Sequence, residues 1–257
     1  PSTSIRRYQG QAVDPVRAGQ ELEVNYILSG SYLKQANRIR LNAELINVHS
    51  GEMVWREPTE VEYHDAFKLQ DILSEKMIHR LQADFSEAEY NRRHKDVPKD
   101  PIAYEYYLRA ISYPFTNDGS RLAQQMLENS IRLDSTYAPA FAEMGFRSRI
   151  LGTYGGAGRA QMERAEQNLR KALALNEALL SAIGNLASLY VETGRSEASL
   201  RLLQRGVEIN PNDAYTRFCL SYLYRYTGML EESEREADLA LRLDPRNPRF
   251  RSTGRTY

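Results

Sequence analysis

The sequence predicts a mainly helical protein: an α-α superhelical solenoid preceded by a small α+β domain. Two observations support this fold class. The segments YVETGRSEASLRLLQRGVEINP, residues 190–211, and YRYTGMLEESEREADLALRLDP, residues 224–245, repeat one pattern at an offset of 34 residues. A repeat of this length is typical of stacked helical hairpins. Residues 1–85 instead include the segment NRIRLNAELINV, in which apolar and polar side chains alternate with the period of a strand that has one buried face.

Composition argues against several classes of partner. The chain of 257 residues has 34 Lys plus Arg and 34 Asp plus Glu, so no overall field attracts it to nucleic acid or to an anionic membrane. No apolar run reaches the roughly 18 residues that a membrane span needs. The single cysteine, Cys219, allows no internal disulfide and leaves the compartment open. We expect a soluble region, cytoplasmic or periplasmic, that can be part of a longer, membrane-anchored protein.

The first module, residues 1–85, is predicted to be an α+β layer in the order strand, helix, three strands, helix. Asp14 and Pro15 suit the N-cap and the first position of a helix. VNYILSGSYL and NRIRLNAELINV predict a hairpin around KQAN, and MVWREPTEVEY predicts a third strand, which Pro58 places at the sheet edge or gives a bulge. Asp65 would cap a helix with one apolar stripe, formed by Leu69, Ile72, Leu73, Met77 and Leu81.

The polar segment SEAEYNRRHKDVPKD, residues 86–100, is predicted to link this module to helical hairpins. In one hairpin Leu200, Leu203 and Val207 form an apolar face that a single hairpin cannot bury, so neighbouring hairpins must stack. Gly194 and Gly228 allow the tight turn within each hairpin. Pro211 and Pro245 end the second helix of each hairpin.

This pattern resembles the tetratricopeptide repeat (TPR), whose 34-residue unit has a Tyr in the first helix, a Gly at the turn and a Pro at the close. On this basis residues 101–247 form four repeats, with the bounds 101–137, 138–179, 180–213 and 214–247. Ser135 and Glu177 replace the closing Pro of the first two. Residues 248–257 begin a truncated repeat or a cap, with Asn247 as its N-cap.

The first module resembles the TolB-like (or FlgO-like) domain that precedes TPR arrays in bacterial signalling proteins. The resemblance rests on LEVNYILSGSYLKQANRIRLNAELINVHSGEMVW followed by DAFKLQDILSEKM. The resemblance implies that the family's first strand and helix would precede residue 1. In that family the domain commonly follows an adenylate cyclase, a Ser/Thr kinase or a winged-helix regulator. LGTYGGAGRAQMERAEQNLRKALAL is similar to the enlarged loop that this family has inside its second repeat.

No pattern of catalytic or metal-binding residues is evident. Cys219 is interpreted as a buried structural thiol. TYGGAGRA, residues 153–160, lacks the Lys of a phosphate-binding loop and is interpreted as a flexible insertion. The histidines have no partner at metal-ligand spacing and are interpreted as exposed bystanders: His49, His64, His79 and His94. We therefore predict a protein that is not an enzyme and that needs neither cofactor nor metal.

In the TPR family the second, fifth, ninth and twelfth positions of each repeat line a concave groove. Carried over residue by residue, the resemblance implies a partner-binding groove of Arg109, Phe146, Arg149, Ser188, Tyr215, Phe218, Tyr222 and Arg225. The small residues of the third repeat would leave room beside the aromatic residues of the fourth. Alternatively, Phe218 and Tyr222 pack beneath a fifth repeat.

These patterns predict the scaffold region of a bacterial regulatory protein, which binds a peptide or protein segment in the concave groove. Two alternatives stay open. In one, the chain is the sensory or assembly half of a signalling enzyme, an adenylate cyclase or Ser/Thr kinase, whose catalytic domain lies upstream. In the other, exposed sheet edges and the interrupted repeat drive the formation of a homo-oligomer.

Overall fold

The computed structural model describes residues 8, 13–22, 24–62, 72–73, 97–156, 158–245, 247 and 250. These residues fall into two compact units, Pro1–Asn91 and Arg92–Tyr257. The first unit contains a helix and a three-stranded antiparallel sheet, and the second contains a series of paired helices. The predicted fold class is therefore confirmed.

In the first unit, helix α1 (Pro15–Leu22) begins as predicted, because the backbone N–H of Val16 donates to the Asp14 carboxylate at 3.1 Å. Pro58 lies opposite Asn42 on an edge strand of the sheet that the described residues form, and edge strands tolerate a residue without a backbone N–H. The strands pair in chain order through two hairpins: β1 (Tyr26–Gln35), β2 (Arg38–Asn47) and β3 (Met53–Glu62).

One face of the sheet is apolar, as the alternation in β2 predicts. Ala43, Leu45 and Trp55 are each at most 7% exposed and form its core, against which Leu73 packs. Leu73 and Ile72 are helical, in agreement with the helix predicted after Asp65. The rest of that helix, the short strand predicted before α1 and most of the predicted linker lie outside the described residues.

The helices of the second unit form four hairpins. Their bounds are α2 (Pro101–Ser112) with α3 (Asn117–Leu133), α4 (Ala138–Tyr154) with α5 (Gly158–Leu175), α6 (Leu180–Glu192) with α7 (Ser196–Ile209), and α8 (Ala214–Tyr226) with α9 (Leu230–Leu243). The first helices α4, α6 and α8 contact one another in succession. Gly194 and Gly228, in the turns after α6 and α8, have φ angles of +74° and +80°, which glycine adopts without strain.

Each hairpin ends at an Asp or Asn, and not at a Pro, although the repeat pattern in the sequence was recognised partly by Pro211 and Pro245. The residues at which the hairpins end are Asp134, Asn176, Asn210 and Asp244. In the first three, the side-chain oxygen accepts from the backbone N–H two residues later, at 2.9, 3.1 and 3.0 Å. Such turns offer the backbone an alternative to continuing the helix. The second helix therefore ends at the same position whether or not a Pro follows.

The enlarged loop predicted for the second repeat is wrong, because most of its residues are helical. Helices α4 and α5 have 17 and 18 residues, whereas α6 and α7 have 13 and 14, and only residues 155–157 separate α4 from α5. The additional residues lengthen each helix by about one turn. Gly152 lets the longer helices approach, because a Cβ atom there would lie 2.7 Å from the Met162 sulfur.

Glu166 of α5 ties the second hairpin to the third. Its carboxylate accepts from both terminal guanidinium nitrogens of Arg195, at 2.9 and 2.8 Å, and from Nε of Arg170 at 3.0 Å. The Arg195 guanidinium carbon also lies 4.1 Å from the ring centroid of Tyr190. The hydrogen bonds from Arg195, together with that from Arg170, lower the pKa of Glu166 to about 2 although partial burial opposes this.

We expect Glu166→Gln to lower the free energy of unfolding by about 1–2 kcal/mol at pH 7. The pKa of Glu166 is about 2 in the folded protein against an ordinary 4.5, so its stabilisation is present above about pH 4.5 and is lost as the pH falls towards 2. Urea unfolding at both ends of this range measures the change. Glu197→Gln removes a carboxylate that is 85% exposed and should alter little; equal losses in both variants would contradict the prediction.

Candidate functional site

The structure brings three successive hairpins together at one carboxylate on the face formed by α4, α6 and α8, here named the first-helix face. Arg149 of α4 and Glu192, the last residue of α6, form an ion pair in which the side chains are 10% and 8% exposed. Glu192 also accepts from the Tyr222 hydroxyl of α8 at 3.4 Å and from the Thr153 hydroxyl of α4 at 3.1 Å. Glu192 therefore fixes the relative positions of side chains from three hairpins.

The guanidinium of Arg149 remains charged in this buried position. Burial is the largest single influence and lowers the pKa of Arg149, but the Glu192 carboxylate together with Tyr215, Cys219 and Tyr222 raises the pKa above its ordinary value. Nε of Arg149 is buried and has no hydrogen-bond partner among the residues that the structure describes. The ring centroid of Phe146 lies 5.7 Å from its guanidinium carbon, and this contact offsets part of the lost solvation.

Aromatic and arginine side chains at the ends of α4 and α8 form the exposed part of the site. The ring centroids of Tyr222 and Tyr226 are 4.7 Å apart, and the Arg225 guanidinium carbon lies 5.6 and 5.4 Å from them. Tyr226 is 60% exposed and Tyr154 of α4 is 67% exposed. Burial, the hydrogen bond with Tyr226 and the charge of Glu192 raise the pKa of Tyr222, so its hydroxyl stays protonated. We name Tyr154, Tyr222, Arg225 and Tyr226 the tyrosine cluster.

Two of the predicted groove residues contribute to packing between repeats. Ser188 of α6 is buried, and its hydroxyl contacts the Cys219 sulfur of α8 at 3.7 Å as well as the backbone carbonyl of Gly184 at 2.9 Å. Tyr215 donates to Asn185 at 2.9 Å, and its ring covers Gly184, where a Cβ atom would lie 2.7 Å from ring atom Cε1. The room expected beside the small residues of the third repeat is therefore filled by Tyr215, and that expectation is wrong.

The other predicted groove residues differ in their surroundings. Phe218 packs against Phe250, which is 2% exposed, and their ring centroids are 5.0 Å apart. That a fifth repeat covers Phe218 and Tyr222 stays a prediction. Phe146 is 7% exposed and its ring centroid lies 5.4 Å from that of Phe115. Arg109 of α2 is exposed and its guanidinium carbon lies 5.9 Å from the ring centroid of Tyr106.

Sequence reasoning missed Glu192, Tyr226 and Tyr154 because it considered only four positions of each repeat. Glu192 and Tyr226 are the thirteenth residues of their repeats, and Tyr154 belongs to the additional turn of α4. The sequence did contain a signal for Glu192. The twelfth position is arginine in the second and fourth repeats, at Arg149 and Arg225, and in the third repeat this acidic residue comes directly after the twelfth position. No neighbouring residue identifies Tyr154 as part of the site, because the last turn of α4, which contains it, was expected to be a loop.

The described residues show little reactive chemistry. Cys219 is 1% exposed, and its burial raises the pKa of the thiol to about 11, so the reactive thiolate is disfavoured. Within the described ranges no three His, Cys, Asp or Glu side chains are grouped to hold a metal ion. His49 makes a 3.0 Å hydrogen bond with Asn25, and the other histidines lie outside those ranges. In the same ranges, every helix is too short or too polar to span a membrane.

Stacked helical hairpins at a 34-residue offset, with glycine turns and small residues at the contacts, give the second unit the fold of a TPR solenoid. Comparison with known families agrees. A tetratricopeptide repeat model matches residues 158–218, and the model of the HilA/YgeH-like transcriptional regulator, second domain, matches residues 1–76. The TolB-like resemblance of the first module stays a prediction.

Similar proteins exist at low identity. "Putative adenylate cyclase 3" of Rhizobium meliloti (strain 1021) is 28% identical over 182 residues, which are 69% of this chain and 30% of that protein. "Anaphase-promoting complex subunit 3" of Schizosaccharomyces pombe (strain 972 / ATCC 24843) is 26% identical over 125 residues, 49% of this chain and 18% of that protein. The chain thus spans less than a third of either relative. A solved thermophilic TPR protein of Thermus thermophilus is 15% identical with a TM-score of 0.48, over 59% of this chain and 76% of that one.

Proposed function

We propose that this chain is the protein-interaction region of a bacterial regulatory protein and that it binds a peptide or protein segment on the first-helix face. The observation that carries the proposal is the tyrosine cluster, in which exposed Tyr226 adjoins Tyr222 and Arg225, and exposed Tyr154 lies near enough to affect the pKa of Tyr222. Tyrosine and arginine are enriched among the residues that contribute most to binding at protein interfaces. They are concentrated here at the ends of helices from two different repeats.

The chemistry of the cluster indicates what the partner segment offers. Tyrosine hydroxyls and the arginine guanidinium donate hydrogen bonds, and the tyrosine rings provide apolar surface at a small entropic cost. The nearby carboxylate of Glu192 is already used by Arg149, Thr153 and Tyr222. We therefore expect a segment that places backbone carbonyl or carboxylate oxygens, and at least one apolar side chain, against the cluster.

Tyr226→Ala combined with Arg225→Ala is expected to weaken partner binding at least tenfold, because both changes remove contact area and donors without touching the Arg149–Glu192 pair. The immobilised chain first captures partners from a lysate of the native organism. The captured protein is then purified, and its affinity for each variant is measured by calorimetry. Circular dichroism checks that the double variant is folded.

Tyr32→Ala combined with Arg40→Ala is the matched control, since it removes an exposed Tyr and an exposed Arg from the sheet of the first unit. This control should bind as the unaltered chain does. A partner that binds the Tyr226 and Arg225 variant with unchanged affinity, or that is lost equally from the control, would overturn the proposal.

The Rhizobium meliloti relative favours a second candidate, because it is named as an adenylate cyclase and extends well beyond the matched region. In this candidate the chain is the sensory or assembly half of a signalling enzyme, a cyclase or a Ser/Thr kinase, with the catalytic domain upstream. Residues 1–85 would be its TolB-like module and residues 86–100 the linker to the repeats. Reading the gene upstream of Pro1 tests this candidate: a catalytic domain supports it, whereas a DNA-binding domain favours a transcriptional regulator.

A further inference from the structure

A groove of about 580 Å³ lies open to solvent between the second helices α5 and α7. Its volume is within the roughly 300–1,000 Å³ of typical binding pockets. Leu186 and Tyr190 of α6 form its floor, with Leu173 and Ala174 of α5 on one wall and Ala198 and Leu202 of α7 on the other. None of these residues belongs to the tyrosine cluster, so this second-helix groove is a separate surface.

Ion pairs across the groove fix its length. Arg195, at the start of α7, binds Glu166 at 2.8 Å, and Arg205 binds Glu177, just after α5, at 3.1 Å. Glu166 and Glu177 are three helical turns apart, so the bridges enclose a stretch of about 16 Å. Within this stretch Ala174 and Ala198 have side chains of one methyl group each, which leaves the space between the helices unfilled. A short helix of a partner has these dimensions.

Every charged residue that lines the groove is an arginine: Arg170, Arg201 and Arg205. The first two have side chains that are 63% and 65% exposed. Arg201 pairs with Glu197 of its own helix in an exposed i,i+4 contact, whereas Arg170 pairs with Glu166, which is 23% exposed and is also bound by Arg195. The exposed contact contributes only about 0.3–0.5 kcal/mol, so an incoming carboxylate can replace Glu197 at little cost. The apolar floor and this arginine rim together are complementary to an acidic segment with an apolar face.

We propose that the second-helix groove binds an acidic amphipathic helix of another protein. The partner helix places Leu-sized side chains between Ala174 and Ala198 and carboxylates against Arg170 and Arg201. Recognition of this kind uses apolar side chains at helical spacing for affinity and the charged rim for orientation. The surface is independent of the first-helix face, so one chain can hold two partners at once.

The test uses a fluorescein-labelled 16-residue peptide, with Leu at helical spacing on one face and Glu on the other, and its counterpart with Lys in place of Glu. Fluorescence anisotropy with the full chain measures both affinities. We expect the acidic peptide to bind at least tenfold more tightly than the basic one. Arg170→Glu with Arg201→Glu should weaken the acidic peptide at least tenfold, and so should Ala198→Trp, which fills the groove.

Arg235→Glu with Arg242→Glu is the matched control, because both residues are exposed on α9, a second helix outside the groove. This control, and Tyr226→Ala with Arg225→Ala, should leave the affinity of the acidic peptide unchanged. Equal binding of both peptides, no binding at millimolar concentration, or unchanged affinity in the groove variants would overturn the inference. Loss in the Tyr226 and Arg225 variant alone would also overturn it, by assigning the acidic peptide to the first-helix face.

Discussion

Arg147→Ala is expected to lower the free energy of unfolding of the second unit by about 3–5 kcal/mol. The Arg147 side chain is 0% exposed, and its Nε donates to the Glu143 carboxylate at 2.7 Å. Its terminal nitrogens donate to backbone carbonyls just before and after the end of α2, those of Ala110, Tyr113 and Pro114, at 3.0–3.2 Å. Removal of the side chain leaves these carbonyls and a carboxylate without their partner in a buried position.

Arg147→Lys should be nearly as destabilising, because a single ammonium group cannot reach a carboxylate and three carbonyls at the same time. It also lacks the planar guanidinium, whose carbon lies 4.6 Å from the ring centroid of Phe115. Urea unfolding followed by circular dichroism measures both variants. Arg121→Ala removes an arginine that is 58% exposed and should change stability by less than about 0.5 kcal/mol. An Arg147→Ala protein as stable as this control would contradict the prediction.

Gly145→Val is expected to destabilise the second hairpin by about 2–3 kcal/mol. A Cβ atom at Gly145 would lie 2.5 Å from Cγ of Leu169 and 3.0 Å from the backbone oxygen of Ala165. Both neighbours are on α5 and fully buried, and a backbone oxygen cannot move away by a change of rotamer. Helices α4 and α5 must therefore separate, which opens the core that they share.

Thermal and urea unfolding of Gly145→Val are compared with those of Gln167→Val, an exposed site on α5. The control isolates the low helix propensity of a β-branched residue, which costs less than about 1 kcal/mol. Gly184→Ala should fall between the two, because the nearest atoms to its Cβ belong to the side chain of Tyr215, which can shift. Equal stability of the Gly145 and Gln167 variants would show that the close approach of α4 and α5 is not needed.

Features that depend on a few consecutive residues could be predicted from the sequence. Asp213 caps α8, since its carboxylate accepts from the backbone N–H of Thr216 at 2.8 Å, as an Asp just before a helix commonly does. The left-handed turns at Gly194 and Gly228 and the alternating face of β2 follow from equally local chemistry. The Asp or Asn that ends each hairpin could also have been predicted from the sequence. It was not, because in two repeats a Pro follows it directly and the end of the helix was assigned to that Pro.

The site depended on contacts between distant residues and could be predicted only in part. Arg149, Tyr222 and Arg225 were expected on one face, but Glu192, which joins the first two and lies 43 residues from Arg149 in the chain, was not. Tyr215 was expected to line a groove and instead covers Gly184. Each error concerns a side chain whose surroundings are set by the next hairpin.

The sequence by itself therefore determined the helical repeat, its caps and turns and the alternating sheet, because these arise from interactions within one hairpin or between paired strands. Only the tertiary structure decided which of the predicted groove positions are covered and which are open. It placed the additional residues of the second repeat in longer helices, which brings Tyr154 towards α8. The physical reason is that the space between stacked hairpins depends on how closely their helices approach, and small residues such as Gly145 and Gly184 set that distance jointly with neighbours far along the chain.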